Sequence, residues 1–476
     1  MMKHEKLCWR IKLSFGVGQW AEGVKGCTFS IFLLFYYISV QGLSGTMAGT
    51  AMLIALCFDA ISDPLMGSIS DRFKSRWGRR HPFMYMAAIP FAVSFFCLFF
   101  PPDGLSQFQL FGWFVIFATM TRGFLTMYSV PHMAMNAELT SDYIERTSLS
   151  AIRGFFSIIG FLFVAGSGFF YFFRATPEFS NGQLNPAAYP VFALVFSIAM
   201  VIVIWLSAIG THSEIPNLPQ APDDVKSFSI FQFLIEIKSA LQIGSFRKLF
   251  GAALIMYTIA GTTQALALYF YTSFWGMTSK NAGIVIIAGI LGIVLSTLFV
   301  RRLSIFIGEK KQTLMIGLVW FPLFYTSIIV LRLLGFLPSN DHPSIVPLVA
   351  ITIAIASMGF GVFYTVTTSM IADITDEHDL VYNVRQEGIY YAVFSLMVKA
   401  GTGLGGFLGG IIIDLSGMSG MTDPSVANLV VLNRLGLILI FFPLIGGAIS
   451  VFTVRNYDID HVRHADILEK LRLREV

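Results

Sequence analysis

The sequence is short of charge. Of its 476 residues only 13% are Asp, Glu, Lys or Arg, against 55% hydrophobic and 15% aromatic. A soluble domain carries about 25% charged residues. So few charges cannot cover a globule with polar surface, which excludes a water-exposed fold and requires lipid as the solvent. The basic surplus is also small, at +4, and it sits in loops. That argues against a nucleic-acid partner and for a role in membrane orientation. Cysteine is scarce: Cys8, Cys27, Cys57 and Cys97 show no metal-ligand spacing and read as small apolar residues. There is no HExxH, no GxSxG and no metal cluster, so nothing points to an enzyme or to a cofactor. No large soluble domain is present, as a membrane-bound sensor would need. The basic start "MMKHEKLCWRIK" lacks a small-residue cleavage site after it, and Glu22 and Lys25 follow. A first membrane span is expected there rather than a removable signal peptide.

What the chain does have is long apolar runs. A spanning helix needs about 20 mostly apolar residues. Such runs lie near 12–39, 46–70, 81–100, 107–136, 149–173 and 189–212, then near 249–275, 282–300, 312–337, 345–372, 388–416 and 429–454. The reading is an all-α membrane protein with twelve transmembrane helices in two six-helix bundles, the major facilitator plan of two structural repeats. The expected divisions are a first bundle over 1–212, a central loop over 213–248, a second bundle over 249–454 and a tail over 455–476. Within the loop, "SFSIFQFLIEIKSALQ" is amphipathic and predicts a helix along the membrane surface. Lys and Arg crowd the N-terminal segment, the loop after the second run, the loop after the eighth and the tail. The alternate loops "VQGLSGT", "PPDGLSQ" and "SGMSGMTDPS" carry none. By the positive-inside rule both termini are cytoplasmic, in an inner membrane. The glycines Gly401, Gly405 and Gly409, four apart, predict close helix packing.

Ionisable residues at the bilayer centre cost at least about 2.5–3.5 kcal/mol on insertion scales. Glu22 and Lys25 on the first run, Asp59 and Asp63 on the second, Arg153 on the fifth and Lys399 on the eleventh therefore need a partner or a task. Spacing four puts Asp59 and Asp63 on one helix face. Two bare carboxylates that close must share a proton, hold a cation or meet a basic side chain. Ser62 and Thr126 add oxygens suited to a hard cation such as Na⁺. The structural alternative is an ion pair with Lys399 or Arg153 that pins helices. Arg153 offers a planar fork for a carboxylate or paired sugar hydroxyls, and Glu22 an acceptor for a substrate hydroxyl. Tyr128, His132 and Tyr364 fall on spans expected to line the cavity, with simple packing as the alternative. His132 could also carry a proton.

The stretch "FDAISDPLMGSISDRFKSRWGRRHPF" resembles the second-helix and loop signature of the glycoside–pentoside–hexuronide:cation symporters of the major facilitator superfamily. "KLSFGVGQW", "VPHMAMNAELTSDYIERTSLSAIRGFF" and "IADITDEHDLVYNVRQEGIYYAVFSLMVKAG" extend the likeness over nearly the whole chain. The resemblance implies cation-coupled symport of a sugar or glycoside by alternating access, with a Na⁺ or H⁺ coupling site at Asp59, Asp63 and Thr126. It implies sugar contact at Arg153 and a lysine near the cation at Lys399. The chain departs from the pattern where the family's sugar-binding acids fall, at Gly23 beside Glu22 and at Ser129, and where a stacking tryptophan falls, at Met133. A related branch carries lysophospholipids, so an amphiphilic substrate is the second reading. The loop "DRFKSRWGRR" resembles a cytoplasmic gating motif, with Asp71 meeting Arg72, Arg79 and Arg80. The partners implied are the small-molecule substrate, the cation and membrane lipid, with the chain acting as a monomer.

Overall fold

A computed structural model describes residues 7–140, 142–179, 181–219, 230–383, 387–419, 421 and 427–474. All its regular elements are helical. The membrane spans are α1 Trp9–Val40, α2 Gly45–Arg72, α3 His81–Leu98, α4 Gln107–Glu138, α5 Ile144–Phe172 and α6 Ala188–Gly210. They continue as α7 Gly244–Ala265 with Ala267–Phe274, α8 Ser279–Ile307, α9 Lys310–Leu333, α10 Ile345–Tyr382, α11 Gly388–Ser416 and α12 Leu429–Val454. The two halves of α7 meet at a 51° bend, and counting them as one span gives twelve. A helix Ile230–Gln242 lies in the connector and another, His461–Arg474, in the tail. The connector stretch 220–229, including the start of the amphipathic segment, lies outside the described residues, as does part of the loop before α12.

Side chains set where these helices begin. Ser44 accepts from Met47 N at 3.3 Å to start α2, and Asp142 accepts from Glu145 N at 2.9 Å before α5. Ser106 opens α4 with a reciprocal capping box through Gln109. Each satisfies an amide that the helix itself leaves unpaired. Large apolar side chains such as Phe108 and Leu298 remain exposed, as expected of spans whose outer face meets lipid.

The chain forms two compact units, Met1–Ser229 and Ile230–Val476. In the first, α2 and α3 pack on α4, α1 packs on α5 and α6, and α3 packs on α6. In the second, α8 and α9 pack on α10, α7 packs on α11 and α12, and α9 packs on α12. Adding six to each helix number of the first set reproduces the second, so the six-helix unit is repeated. Glycine permits the closest approaches in both. A Cβ on Gly160 of α5 would run into the Trp20 backbone of α1, and one on Gly405 of α11 would meet the Thr258 carbonyl of α7. The spacing-four glycines of α11 thus serve packing at Gly401 and Gly405.

Candidate functional site

On α2, Asp59 and Asp63 lie one turn apart, and Pro64 follows directly. Proline has no N–H, so the Ala60 carbonyl loses its intrahelical donor and is left beside the two acids. Asp59 is buried. Its Oδ2 accepts from the guanidinium of Arg122 on α4, while Oδ1 is buried with no hydrogen-bond partner. Asp63 Oδ1 accepts from Thr126 Oγ1 at 2.7 Å. The Ser62 hydroxyl is buried beside them without a hydrogen-bond partner. Arg122 also lies over the Phe29 ring at 5.2 Å, and Lys25 Nζ lies over the same ring at 5.6 Å. Phe29 belongs to a turn of α1, Thr28–Phe32, that widens to π-helical bonding. Such turns redirect a side chain without ending the helix.

A second polar chain runs between α1 and α5. Helix α1 loosens into a turn at Gly18 and Gln19. From there Gln19 Oε1 accepts from Arg153 NH2 at 3.0 Å and from Nε at 3.3 Å, and the Gln19 amide donates to Glu22. Arg153 also lies 5.8 Å over the Phe15 ring. Gly23 is pressed against the Ser157 carbonyl of α5, where no side chain fits. Where the resemblance implies a sugar-binding acid, the chain thus has a helix contact, and Glu22 and Gln19 carry the polarity of this part of α1.

His132 and Tyr128 pack among the helices of the first unit. Both are buried. His132 Nε2 contacts the Phe15 carbonyl at 2.7 Å, and its ring stacks between Phe15 and Tyr128. Ser129 is half-buried and Met133 exposed. In the second unit, Tyr364 on α10 is exposed and Lys399 on α11 half-buried.

The loop after α2 closes on itself. The Ser75 hydroxyl donates to the Gly78 carbonyl at 2.7 Å, and Gly78 has φ +71°, open to glycine at little cost. The chain turns back, and Arg80 meets Asp71 at 2.5 Å, Ser70 Oγ at 2.6 Å and Glu138, at the end of α4, at 2.7 Å. Arg79 reaches Glu138 at 2.8 Å. Arg72 stays outside this network: its Nε and one terminal nitrogen are buried without partners. The second unit repeats the device. Gly308 has φ +80°, and Lys310 then pairs with Asp373 of α10 at 2.8 Å. Arg80 and Glu138 are 4% and 7% exposed, and breaking one side of a buried pair costs about 3–5 kcal/mol. Arg80→Ala is expected to lower the apparent melting temperature of the purified protein by several degrees. Asp71→Asn should lower it much less, because Asp71 is 43% exposed.

Two polar centres and a repeated six-helix unit are the frame against which known proteins compare. The family model described as MFS/sugar transport protein matches residues 14–461. The chain belongs to that family. It is a major-facilitator transporter of the glycoside–pentoside–hexuronide:cation type and not an enzyme. The glucuronide carrier protein homolog of Escherichia coli (strain K12) is 25% identical over 425 residues, 87% of this chain and 85% of that protein. The isoprimeverose transporter of Lactiplantibacillus pentosus is 24% identical over 464 residues, 95% and 89% of the two chains. Among solved structures, a D-xylose-proton symporter superposes with a TM-score of 0.62 at 17% identity, covering 94% of this chain and 97% of that one. That likeness establishes the fold. As a member of the family, the chain is a multi-pass membrane transporter that moves a small molecule with a coupling cation.

Sequence reasoning placed six ionisable residues in the spans and overlooked Arg122. It offered Arg153 or Lys399 as the partner of the helix-2 acids, whereas Asp59 pairs with Arg122 and Arg153 bonds Gln19. The signal was present. Arg122 sits at the middle of the run 107–136 and Asp59 near the middle of 46–70, so opposite charges lie at one depth on neighbouring spans. Gln19 and Glu138 carried no comparable signal. An uncharged amide does not mark itself in a hydropathy reading, and Glu138 lies just past the end of its apolar run.

Proposed function

We propose that the chain carries a sugar or glycoside in symport with H⁺ or Na⁺ by alternating access, with both termini in the cytoplasm of an inner membrane. The observation that carries this reading is the chain Arg153–Gln19–Glu22. A planar cationic fork, an amide and a carboxylate in one row offer the donors and acceptors that adjacent hydroxyls or a uronic carboxylate require. Among the relatives, one is named for a glucuronide and one for isoprimeverose, which supports the same class. The acids Asp59 and Asp63 with Thr126 and Ser62 supply the cation half, and the Arg80–Asp71–Glu138 network the cytoplasmic gate. Cation and substrate raise each other's affinity, as linkage demands.

A second reading, an amphiphilic substrate, draws on one feature. A cleft of about 470 Å³ between α2 and α4 is lined by apolar side chains, Phe58, Leu65 and Phe124 among them. One thermal-shift panel decides between the two, run with neutral glycosides, uronides and lysolipids on purified protein. The expected result is stabilisation by a glycoside, largest for an acidic one. Stabilisation by lysolipids alone would overturn the sugar assignment.

A further inference from the structure

Helices α7 and α11 of the second unit repeat α1 and α5 of the first in register. Gly23 is pressed on the Ser157 carbonyl as Gly261 is on the Thr402 carbonyl, and Gly160 meets the Trp20 backbone as Gly405 meets that of Thr258. One residue before Trp20 stands Gln19, which links Arg153 to Glu22. One residue before Thr258 stands Tyr257. Counting four back from Ser157 gives Arg153, and four back from Thr402 gives Val398. The second unit thus keeps a polar group at the Gln19 position and lacks the guanidinium that engages it in the first.

Tyr257 is 4% exposed, and its hydroxyl is buried with no hydrogen-bond partner among the described residues. Buried polar groups are nearly always bonded, and one left unpaired is destabilising. The ring itself is firmly seated. It packs edge-on against Phe360 and Phe363 of α10, with centroids 5.7 and 5.4 Å away, and against Phe394 of α11 at 6.3 Å. Gly401 of α11 leaves room for its Cβ. Phenylalanine would fill this seat equally well and leave nothing unpaired, so packing explains the ring but not the hydroxyl. We propose that Tyr257 is a substrate-binding residue whose hydroxyl bonds a hydroxyl of the transported solute. This deepens the sugar reading above and rests on it. A phenol both donates and accepts, so one rigid group can serve a sugar hydroxyl in either sense. Gln19 is also covered in this conformation, at 8% exposed, so burial before the solute arrives is common to both positions.

The test uses the strongest ligand of the thermal-shift panel, of whichever class, so that failure of the sugar assignment and failure of this one are separate results. Tyr257→Phe removes one oxygen atom. Its affinity for that ligand, measured by calorimetry on purified protein, is expected to fall about fivefold to thirtyfold, while the melting temperature of the ligand-free protein holds or rises. Deoxy analogues of the ligand then locate the partner. The analogue that lacks it is expected to bind the wild type more weakly and to bind both proteins alike, the signature of two groups in contact. Thr367→Val removes another buried hydroxyl without a partner in the same unit and is expected to leave affinity unchanged. Wild-type affinity in Tyr257→Phe would overturn the proposal, as would a loss that no deoxy analogue masks or that Thr367→Val reproduces.

Discussion

Asp63→Asn is expected to abolish gradient-driven accumulation, so that the substrate reaches equal concentrations inside and outside and goes no further. Asp63 lies one turn beyond the Asp59–Arg122 pair and accepts from Thr126 at 2.7 Å. An asparagine preserves the shape and the hydrogen bond to Thr126 but takes up no proton and offers no charge to a cation. Moving one charge down 100 mV is worth about 2.3 kcal/mol, and at about 1.4 kcal/mol per tenfold that drives roughly 50-fold accumulation. All of it is lost if Asp63 is the coupling group. The measurement is uptake into energised vesicles, with exchange of labelled for unlabelled substrate as the control that the carrier still turns over. Undiminished accumulation would remove Asp63 from the cation site.

The second large effect is at Arg153. Its fork bonds Gln19, which in turn bonds Glu22. Arg153→Ala removes the only planar cation of this row and a set of charge-assisted hydrogen bonds, each worth about 1.5–3 kcal/mol. The apparent affinity for substrate is expected to fall by about tenfold to several hundredfold, and further for a uronide than for a neutral glycoside. Arg153→Lys should recover little, because an ammonium group cannot reproduce the two-pronged geometry. A purely structural role would lower the melting temperature of the ligand-free protein and affect all substrates alike. The uronide-to-neutral ratio separates the two.

How far the sequence was legible follows from what lipid does to a helix. Each of the twelve apolar runs became a span, because the bilayer sets a length that composition reports directly. The ends were misplaced where helices continue into water. Helix α10 runs to Tyr382, ten residues beyond the run that ended at 372. The charged stretch is helical because its acids are matched from elsewhere in the unit. Asp373 pairs with Lys310, Glu377 with Arg463 at 2.6 Å, and Asp379 with Arg474 at 2.6 Å. Hydropathy cannot see such partners. Nor could it see the bend in α7 at Leu266, which has no proline to announce it. At the site, the acids stood out because charge in an apolar run is costly. His132 and Tyr128 carried no such mark: an amphipathic ring can be buried against Phe15 and a backbone carbonyl as readily as it can face a cavity.

Coupling itself is tested most directly in liposomes that hold the purified protein and dyes for pH and Na⁺. The panel's best glycoside is added outside, first in Na⁺-free medium. The predicted result is entry of H⁺ or, once Na⁺ is supplied, of Na⁺ along with the sugar, absent with Asp63→Asn. Sugar entry at full rate with neither H⁺ nor Na⁺ moving would contradict cation symport by this chain.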